Sequence, residues 1–238
     1  TIEKNGKSFR IHIERFVSLD VKELCAIQIT IVSLSAPAKL EIRSCLDGDV
    51  YNEDSNYDEQ FWIPVHAEEK LLVVETKPNP FGVEQFTVCT TMENIAQALE
   101  KTEDVVEKME VAEIFRGDLA KGEKAIFEKR VIVTTSRDYP KEKVADAARN
   151  LIHALKGREY VDLREKHSEL WKKRWEKADV EIGGDPAAQQ GIRFNIFQLF
   201  STYYGEDERL NIGPKGFTGE KYGGATYWDT EAFLFPFY

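Results

Sequence analysis

The first half of the chain is patterned for β-strands. Between residues 8 and 136, apolar and polar side chains alternate with a period of two in short segments rich in β-branched residues, which predicts strands with one buried face. Strands that follow one another without intervening helices favour an antiparallel β-sandwich, which we expect over residues 1–136 with its first strands lacking. The clearest segments are residues 9–16, 26–32, 40–44, 71–76, 85–88 and 130–135.

Two local signals refine this picture. The dipeptide Asn5-Gly6 is typical of tight hairpin turns, so a hairpin is expected at the start of the chain. Residues 92–110 are ambiguous, because Ile95, Ala98 and Leu99 have helical spacing in a segment of dense charge. A helix and a strand both remain open there.

Near residue 136 the hydrophobic period changes from two to 3.6, which predicts helices. Pro140 is expected just inside a helix start, a position that proline favours, and Gly157 is expected to end that helix. A second amphipathic helix follows, on which Trp171 and Trp175 are spaced to contact each other. The apolar stripe of the first helix consists of Val144, Ala147, Ala148, Leu151, Ile152 and Leu155.

A third helix is predicted over residues 187–204. Asp185 is a favourable N-cap and Pro186 suits the first helical position. The helix is apolar over most of its circumference, which is typical of a helix buried on nearly every side. Its apolar residues are Ile192, Phe194, Ile196, Phe197, Leu199, Phe200 and Tyr203.

Charge and cysteine content exclude several classes of function. The net charge is −10 and the isoelectric point is near 5.1, which argues against nucleic acid and against an anionic membrane surface as partners. Three scattered cysteines form neither a zinc motif nor a disulfide framework, so reduced thiols in the cytoplasm are expected. No apolar run approaches the roughly 18 residues of a membrane span.

Two loops and the histidines carry weak signals for ligands. Residues 213–224 are rich in glycine, but their spacing does not fit a phosphate-binding P-loop. The acidic residues 47–59 offer oxygen ligands without the glycine and glutamate spacing of a calcium-binding EF-hand. The four histidines have no metal-ligand spacing, and His153 and His167 are interpreted as packing residues on helix stripes. No metal site is expected.

The sharpest chemical signal is Trp228-Asp229-Thr230-Glu231. An indole ring can pack against the C–H face of a sugar, and a carboxylate accepts hydrogen bonds from sugar hydroxyls. Asp229 and Glu231 could form the carboxylate pair of a glycosidase, but residues two apart do not share a helical face. We favour Asp229 as a sugar ligand and Glu231 as a structural or supporting group.

Both ends of the chain suggest a piece of a longer protein. The sequence starts at Thr1 without an initiator methionine or a signal-peptide pattern, and it stops within the apolar residues 232–238. An apolar terminus of this kind would leave an adhesive surface patch.

Several long motifs resemble the disaccharide phosphorylases of glycoside hydrolase family 65. The resemblance covers nearly the whole chain except the charge-rich stretch around residues 92–122. Two further segments, residues 46–58 and 76–83, are similar to the maltose-cleaving branch of that family. The family motifs lie at Trp171–Asp185, Ala188–Leu199 and Leu210–Glu231.

This resemblance implies a β-sandwich, a helical linker over residues 137–182, and the first part of an (α/α)6 catalytic barrel over residues 183–238. It implies cytoplasmic homodimers that need no cofactor and cleave maltose with inorganic phosphate, with inversion, to β-D-glucose 1-phosphate and D-glucose. Trp228 and Asp229 match the pair that holds the non-reducing glucose. The general acid and the phosphate ligands would lie beyond Tyr238, so residues 1–238 alone are expected to be inactive.

Other functions remain open from the sequence. Within the same family the linkage could be that of kojibiose, nigerose or trehalose, or the reaction could be hydrolysis. A non-catalytic carbohydrate-binding module is the alternative from a different class.

Overall fold

The computed structural model describes residues 1–51, 60–213 and 227–238. Contacts between Cα atoms divide the chain into two compact units, which are described separately. The first comprises residues 1–50 and 60–170, and the described part of the second comprises Tyr51, residues 171–213 and residues 227–238. Within these ranges, no helix is both long and apolar enough to cross a membrane.

The described residues of the first unit form ten β-strands in two antiparallel sheets. The strands are β1 Ile2–Lys4, β2 Lys7–Val17, β3 Leu24–Ser33, β4 Ala38–Asp47, β5 Trp62–Glu68, β6 Leu71–Thr76, β7 Thr87–Gln97, β8 Glu100–Val106, β9 Glu110–Leu119 and β10 Lys124–Thr135. The larger sheet has the order β1-β2-β3-β10-β7-β6-β5, and the smaller sheet has the order β4-β9-β8.

Apolar side chains from the two sheets form shared cores. Phe115 of β9 meets Phe127 of β10 edge-to-face, with ring centroids 5.1 Å apart, and Leu119 and Ala125 are buried in the same cluster. Such aromatic pairs add about 0.5–1.5 kcal/mol beyond the area they bury. The predicted antiparallel β-sandwich is confirmed.

The N-terminal hairpin is also confirmed. Asn5 and Gly6 both have positive φ, at 53° and 71°, and they connect β1 to β2 with Lys4 opposite Lys7. Two consecutive left-handed residues define the turn that matches the twist of a tight hairpin.

The helical alternative for residues 92–110 is wrong. This stretch contains the end of β7, all of β8 and the start of β9, and Ala98 with φ 62° lies in the turn between β7 and β8. Within the sheets described, β8 pairs only with β9, so its charged side chains reach water at an edge, where charge is favourable. Of the three residues with helical spacing, Leu99 alone is buried, beside Phe115 just after the turn, and Ile95 and Ala98 are exposed.

Like β8, the strands β5 and β9 lie outside the segments that alternation predicts. Five consecutive residues of β9, from Val111 to Phe115, are buried. A strand buried on both faces does not alternate. The strand β5 contains Pro64 and a register shift between Pro64 and His66, which is typical of edge strands.

Helices pack on the outer face of the larger sheet. Pro140 precedes a short 3₁₀ turn, Lys141–Lys143, so it is not inside the helix as expected. Helix α1 then spans Val144–Ala154 and α2 spans Tyr160–Ala178. The buried residues of this core include Leu24, Cys89 and Ile132 from the sheet and Val144, Ala148, Leu155, Tyr160 and Leu163 from the helical region.

The two histidines on these helices differ. His167 packs against Phe16 with ring centroids 5.0 Å apart, in agreement with its interpretation as a packing residue. His153 is exposed, so that interpretation is wrong for His153. His153 is not one of the apolar residues of α1 that pack against the sheet, among them Val144 and Ala148.

Arg130 of β10 connects the sheet to the turn between α1 and α2. Its side chain is only 2% exposed. Nη1–H donates to the carbonyl of Leu155 at 3.1 Å, and Nη2–H donates to the carbonyl of Arg158 at 2.7 Å. Nε–H donates to the carboxylate of Glu128, and a carboxylate oxygen of Glu93 lies 3.6 Å from Nη1. Burial raises the pKa of Glu128, although the guanidinium opposes that shift.

In the second unit, helix α3 spans Pro186–Thr202. Ile196 is its one buried residue, and Phe194 is 58% exposed. The expectation of burial on nearly every side is therefore wrong for the described residues. The side chains of α2 and of residues 203–213 and 227–238 cover only part of its circumference.

The predicted N-cap of α3 is confirmed, since one carboxylate oxygen of Asp185 accepts from the N–H groups of Ala187 and Ala188, both at 3.0 Å. We expect Asp185→Ala to lower the free energy of unfolding by about 1 kcal/mol, because two helical donors lose their acceptor. Chemical denaturation of Asp185→Ala and Asp185→Asn checks this. Asn retains a capping oxygen, so a loss of equal size in both variants would contradict the role.

Candidate functional site

Trp228 and Asp229 lie in the last described segment of the chain. They precede a short π-helical turn, Thr230–Leu234, and a 3₁₀ turn, Phe235–Phe237. The Trp228 side chain is 69% exposed, and its ring contacts Phe233 at a centroid distance of 6.0 Å with the planes at 52°. Most of the indole surface is therefore available to a ligand, as a sugar platform requires.

Asp229 and Glu231 have different environments. Asp229 is half-buried and Glu231 is exposed. The segment is helical here, so side chains two residues apart point in different directions. This arrangement favours one carboxylate at the ligand over a catalytic pair. The assignment of Trp228 and Asp229 to the substrate remains a prediction.

Thr230 is a residue of this segment to which the sequence assigned no role. It is buried, and its hydroxyl donates to the carbonyl of Ile212 at 2.8 Å. Its backbone N–H donates to the carbonyl of Tyr227 at 3.1 Å. No local pattern marks this contact, because the two residues are 18 positions apart.

An aromatic cluster holds the last turns of the chain against α3. Phe200 meets Phe237 at 5.2 Å, and Tyr203 meets Tyr238 at 5.6 Å between ring centroids. The hydroxyl of Tyr238 donates to the carbonyl of Leu199 at 2.6 Å. These contacts fix the polypeptide on the C-terminal side of Trp228.

The predicted Trp171–Trp175 pair is confirmed and belongs to the same packing. The two indoles stack with centroids 6.4 Å apart, and Trp171 also meets Phe197 at 5.4 Å. The guanidinium of Arg174 lies 3.2 Å from the ring centroid of Tyr204, a cation–π contact. These residues stabilise the unit, in agreement with their interpretation as packing aromatics.

The two loops with weak ligand signals lie largely outside the described residues. Of the glycine-rich stretch 213–224, only Gly213 is described, and of the acidic stretch 47–59, only residues 47–51 are described. Asp47 ends β4, and Asp49 accepts a hydrogen bond from the side chain of Gln60.

The shifted pKa values have structural causes. Burial raises the pKa of Cys89 to about 11, and a hydrogen bond to Glu23 raises the pKa of Tyr139 to about 12. In the second unit, the hydrogen bond from Arg193 lowers the pKa of Asp179. None of these shifts prepares a proton donor near neutral pH. Among the described residues, no group of three or more His, Cys, Asp and Glu side chains is placed to hold a metal ion.

Comparison with known families gives two matches. Residues 1–174 match the N-terminal domain of glycosyl hydrolase family 65, and residues 193–238 match the central catalytic domain of the same family. The first match covers the β-sandwich, α1 and most of α2. The second includes most of α3 together with Trp228 and Asp229.

The curated relatives that the chain matches are disaccharide phosphorylases, and their sequence identity to this chain varies. The chain is 49% identical to the maltose phosphorylase of Bacillus subtilis (strain 168), over 98% of this chain and 31% of the relative. It is 32% identical to the α,α-trehalose phosphorylase of Geobacillus stearothermophilus, over 97% of this chain and 30% of that protein. It is 25% identical to the kojibiose phosphorylase of Escherichia coli (strain K12), over 98% of this chain and 31% of that protein.

A solved structure has the same fold. A putative kojibiose phosphorylase from the human microbiome matches with a TM-score of 0.84 and 23% identity, over 99% of this chain and 30% of that chain. At that identity the likeness supports the fold alone. The chain thus spans about a third of the length of the proteins that it matches.

Proposed function

The chain belongs to glycosyl hydrolase family 65, and from that membership we propose that it is the N-terminal part of an inverting maltose phosphorylase. The proposed reaction transfers the non-reducing glucosyl group of maltose to inorganic phosphate. Its products are β-D-glucose 1-phosphate and D-glucose. The homodimer, the cytoplasmic location and the independence of organic cofactors belong to the same proposal.

One observation carries the choice of maltose. Identity to the maltose phosphorylase is 49%, whereas identity to the trehalose, kojibiose and nigerose phosphorylases is between 25% and 32% over similar lengths. A gap of this size, spread over 98% of the chain, supports membership of the maltose branch.

In the proposed reaction, a carboxylic acid gives its proton to the glycosidic oxygen as the C–O bond of the leaving glucose breaks. A phosphate oxygen attacks the anomeric carbon from the opposite face, in place of the water used by inverting hydrolases. Within residues 1–238 we assign no group to proton transfer. We place the acid and the phosphate ligands in polypeptide beyond Tyr238.

Trp228 and Asp229 would hold the glucose ring that is transferred. The exposed indole offers a flat apolar surface to the C–H face of the ring. The adjacent carboxylate accepts hydrogen bonds from sugar hydroxyls, and such charge-assisted bonds are about twice as strong as neutral ones. Together they fix the anomeric carbon relative to the attacking phosphate, which is how binding energy lowers the barrier.

The test is a product assay with the full-length protein. Maltose, trehalose, kojibiose and nigerose are each supplied with inorganic phosphate, and the anomer of glucose 1-phosphate is identified by ¹H NMR. We expect the β-anomer, with maltose as the best substrate. Glucose release without glucose 1-phosphate would show a hydrolase, and a better rate with another disaccharide would reject the maltose assignment. Residues 1–238 alone are expected to give no product.

A further inference from the structure

In the segment that carries Trp228 and Asp229, the next residue, Thr230, is buried. In the described chain after Thr202, only Ile212 and Thr230 are buried. Thr230 is 3% exposed and directly follows Asp229. Trp228 is mostly exposed and Asp229 is half-buried. Packing of their own side chains therefore holds them only weakly in place.

The hydroxyl of Thr230 supplies that support. It donates to the carbonyl of the buried residue Ile212 at 2.8 Å, while the Thr230 N–H donates to the carbonyl of Tyr227. These two bonds fix both the side chain and the backbone of Thr230. Adjacent Cα atoms are about 3.8 Å apart, so fixing Thr230 restricts where Asp229 and Trp228 can lie.

Small displacements at a binding site have large effects. A shift of about 1 Å in a group that orients the substrate can cost roughly 100-fold in rate, and sites need supporting residues that hold them to within about 0.5 Å. We therefore propose that Thr230 is a positioning residue that sets the affinity of the Trp228–Asp229 pair for the transferred glucosyl ring. This inference rests on the proposed function.

The experiment uses the full-length protein in the synthetic direction, with β-D-glucose 1-phosphate as donor and glucose as acceptor. Thr230→Val keeps the shape of the side chain and removes the hydroxyl. We expect the KM for the donor to rise about tenfold or more, since the donor carries the ring that the pair holds. The KM for the acceptor is expected to stay within about twofold, and Thr230→Ser is expected to restore most of the donor affinity because it keeps the hydroxyl.

A matched control separates positioning from stability. Thr134 is also buried, and its hydroxyl donates to the carbonyl of Val144 at 2.7 Å in the first unit. Thr134→Val removes a bond of the same kind, so it should lower Tm by a similar amount. Its donor KM should match that of the wild-type protein.

Several outcomes would overturn the inference. A donor KM within twofold of wild type in Thr230→Val, an equal rise in both KM values, or a failure of Thr230→Ser to restore affinity would each reject the positioning role while the proposed function stands. If Thr230→Val does not fold, Thr230→Cys, whose thiol donates weakly, must show the same split between the two KM values. A wild-type protein that forms no maltose from this donor and acceptor would reject the proposed function, and this role with it.

Discussion

Replacing Arg130 by methionine is expected to lower the free energy of unfolding by about 3–5 kcal/mol, the usual cost of removing one partner of a buried ion pair. The substitution leaves the carbonyls of Leu155 and Arg158 without the donors they have now. It also leaves the buried carboxylate of Glu128 without its cation. Methionine is chosen because it fills much of the same volume. Urea denaturation of Arg130→Met and wild type measures the difference.

A pH series tests the cause. In the folded wild-type protein, burial raises the pKa of Glu128 above its ordinary value of 4.5. Between the unfolded and the folded pKa of Glu128, this carboxyl holds more proton in the folded state. It therefore makes the free energy of unfolding fall as pH rises through that range. Loss of Arg130 removes the group that lowers the pKa of Glu128 in the folded state. That pKa then rises further, and the decrease in the free energy of unfolding extends to higher pH. The destabilisation by Arg130→Met should thus be larger at pH 7 than at pH 5.

The double variant Arg130→Met/Glu128→Gln is the control. It removes the buried charge together with its partner, so it should recover part of the stability lost in Arg130→Met. No recovery, together with a destabilisation that does not depend on pH, would assign the loss to the two carbonyls and not to the ion pair.

Replacing Asp229 by asparagine in the full-length protein is expected to lower kcat/KM for maltose by about 100-fold. Hydrogen bonds to a charged acceptor contribute about 1.5–3 kcal/mol each, and a tenfold change corresponds to about 1.4 kcal/mol, so weakening two such bonds gives this magnitude. Steady-state kinetics with maltose and phosphate measure it, with melting temperature as a check of folding.

Asp179→Asn provides the matched control in the same unit. Its carboxylate pairs with Arg193 at 2.6 Å near the surface, where water screens the pair, so its loss should change stability little and leave kcat/KM nearly unchanged. If Asp229→Asn keeps wild-type kcat/KM, Asp229 does not bind the transferred sugar, whatever reaction the protein catalyses.

Much of the fold follows from short-range patterns. Asn5 and Gly6 form the predicted turn because both tolerate positive φ. A strand is predicted at residues 71–76, and β6 has those bounds, although its residues from Leu71 to Val74 are all buried and do not alternate. Asp185 caps α3 because its carboxylate reaches the first free N–H groups of its own helix. Each of these features depends on residues that are close together in the sequence.

In the candidate site, too, the sequence identified the residues with a local signal and missed the residue whose contact is long-range. The sequence singled out Trp228 and Asp229, because an indole beside a carboxylate is a local signal for sugar binding. It did not single out Thr230, whose partner Ile212 is 18 residues away.

Which side chains are buried in this protein depends on residues that are distant in the sequence. Local patterns did not predict this burial, and the tertiary structure decided it. Arginine is usually exposed, yet Arg130 is buried, because carbonyls 25 and 28 residues further along accept hydrogen bonds from its guanidinium. The apolar α3 reads as a buried helix, yet the described residues cover only part of it. The sequence by itself determined most of the strands, the three helices and the N-cap of α3, because propensity and periodicity act within a few residues. Only the assembled structure decided which polar groups are buried and paired, because the free energy of burying them depends on partners that the chain brings together from far apart.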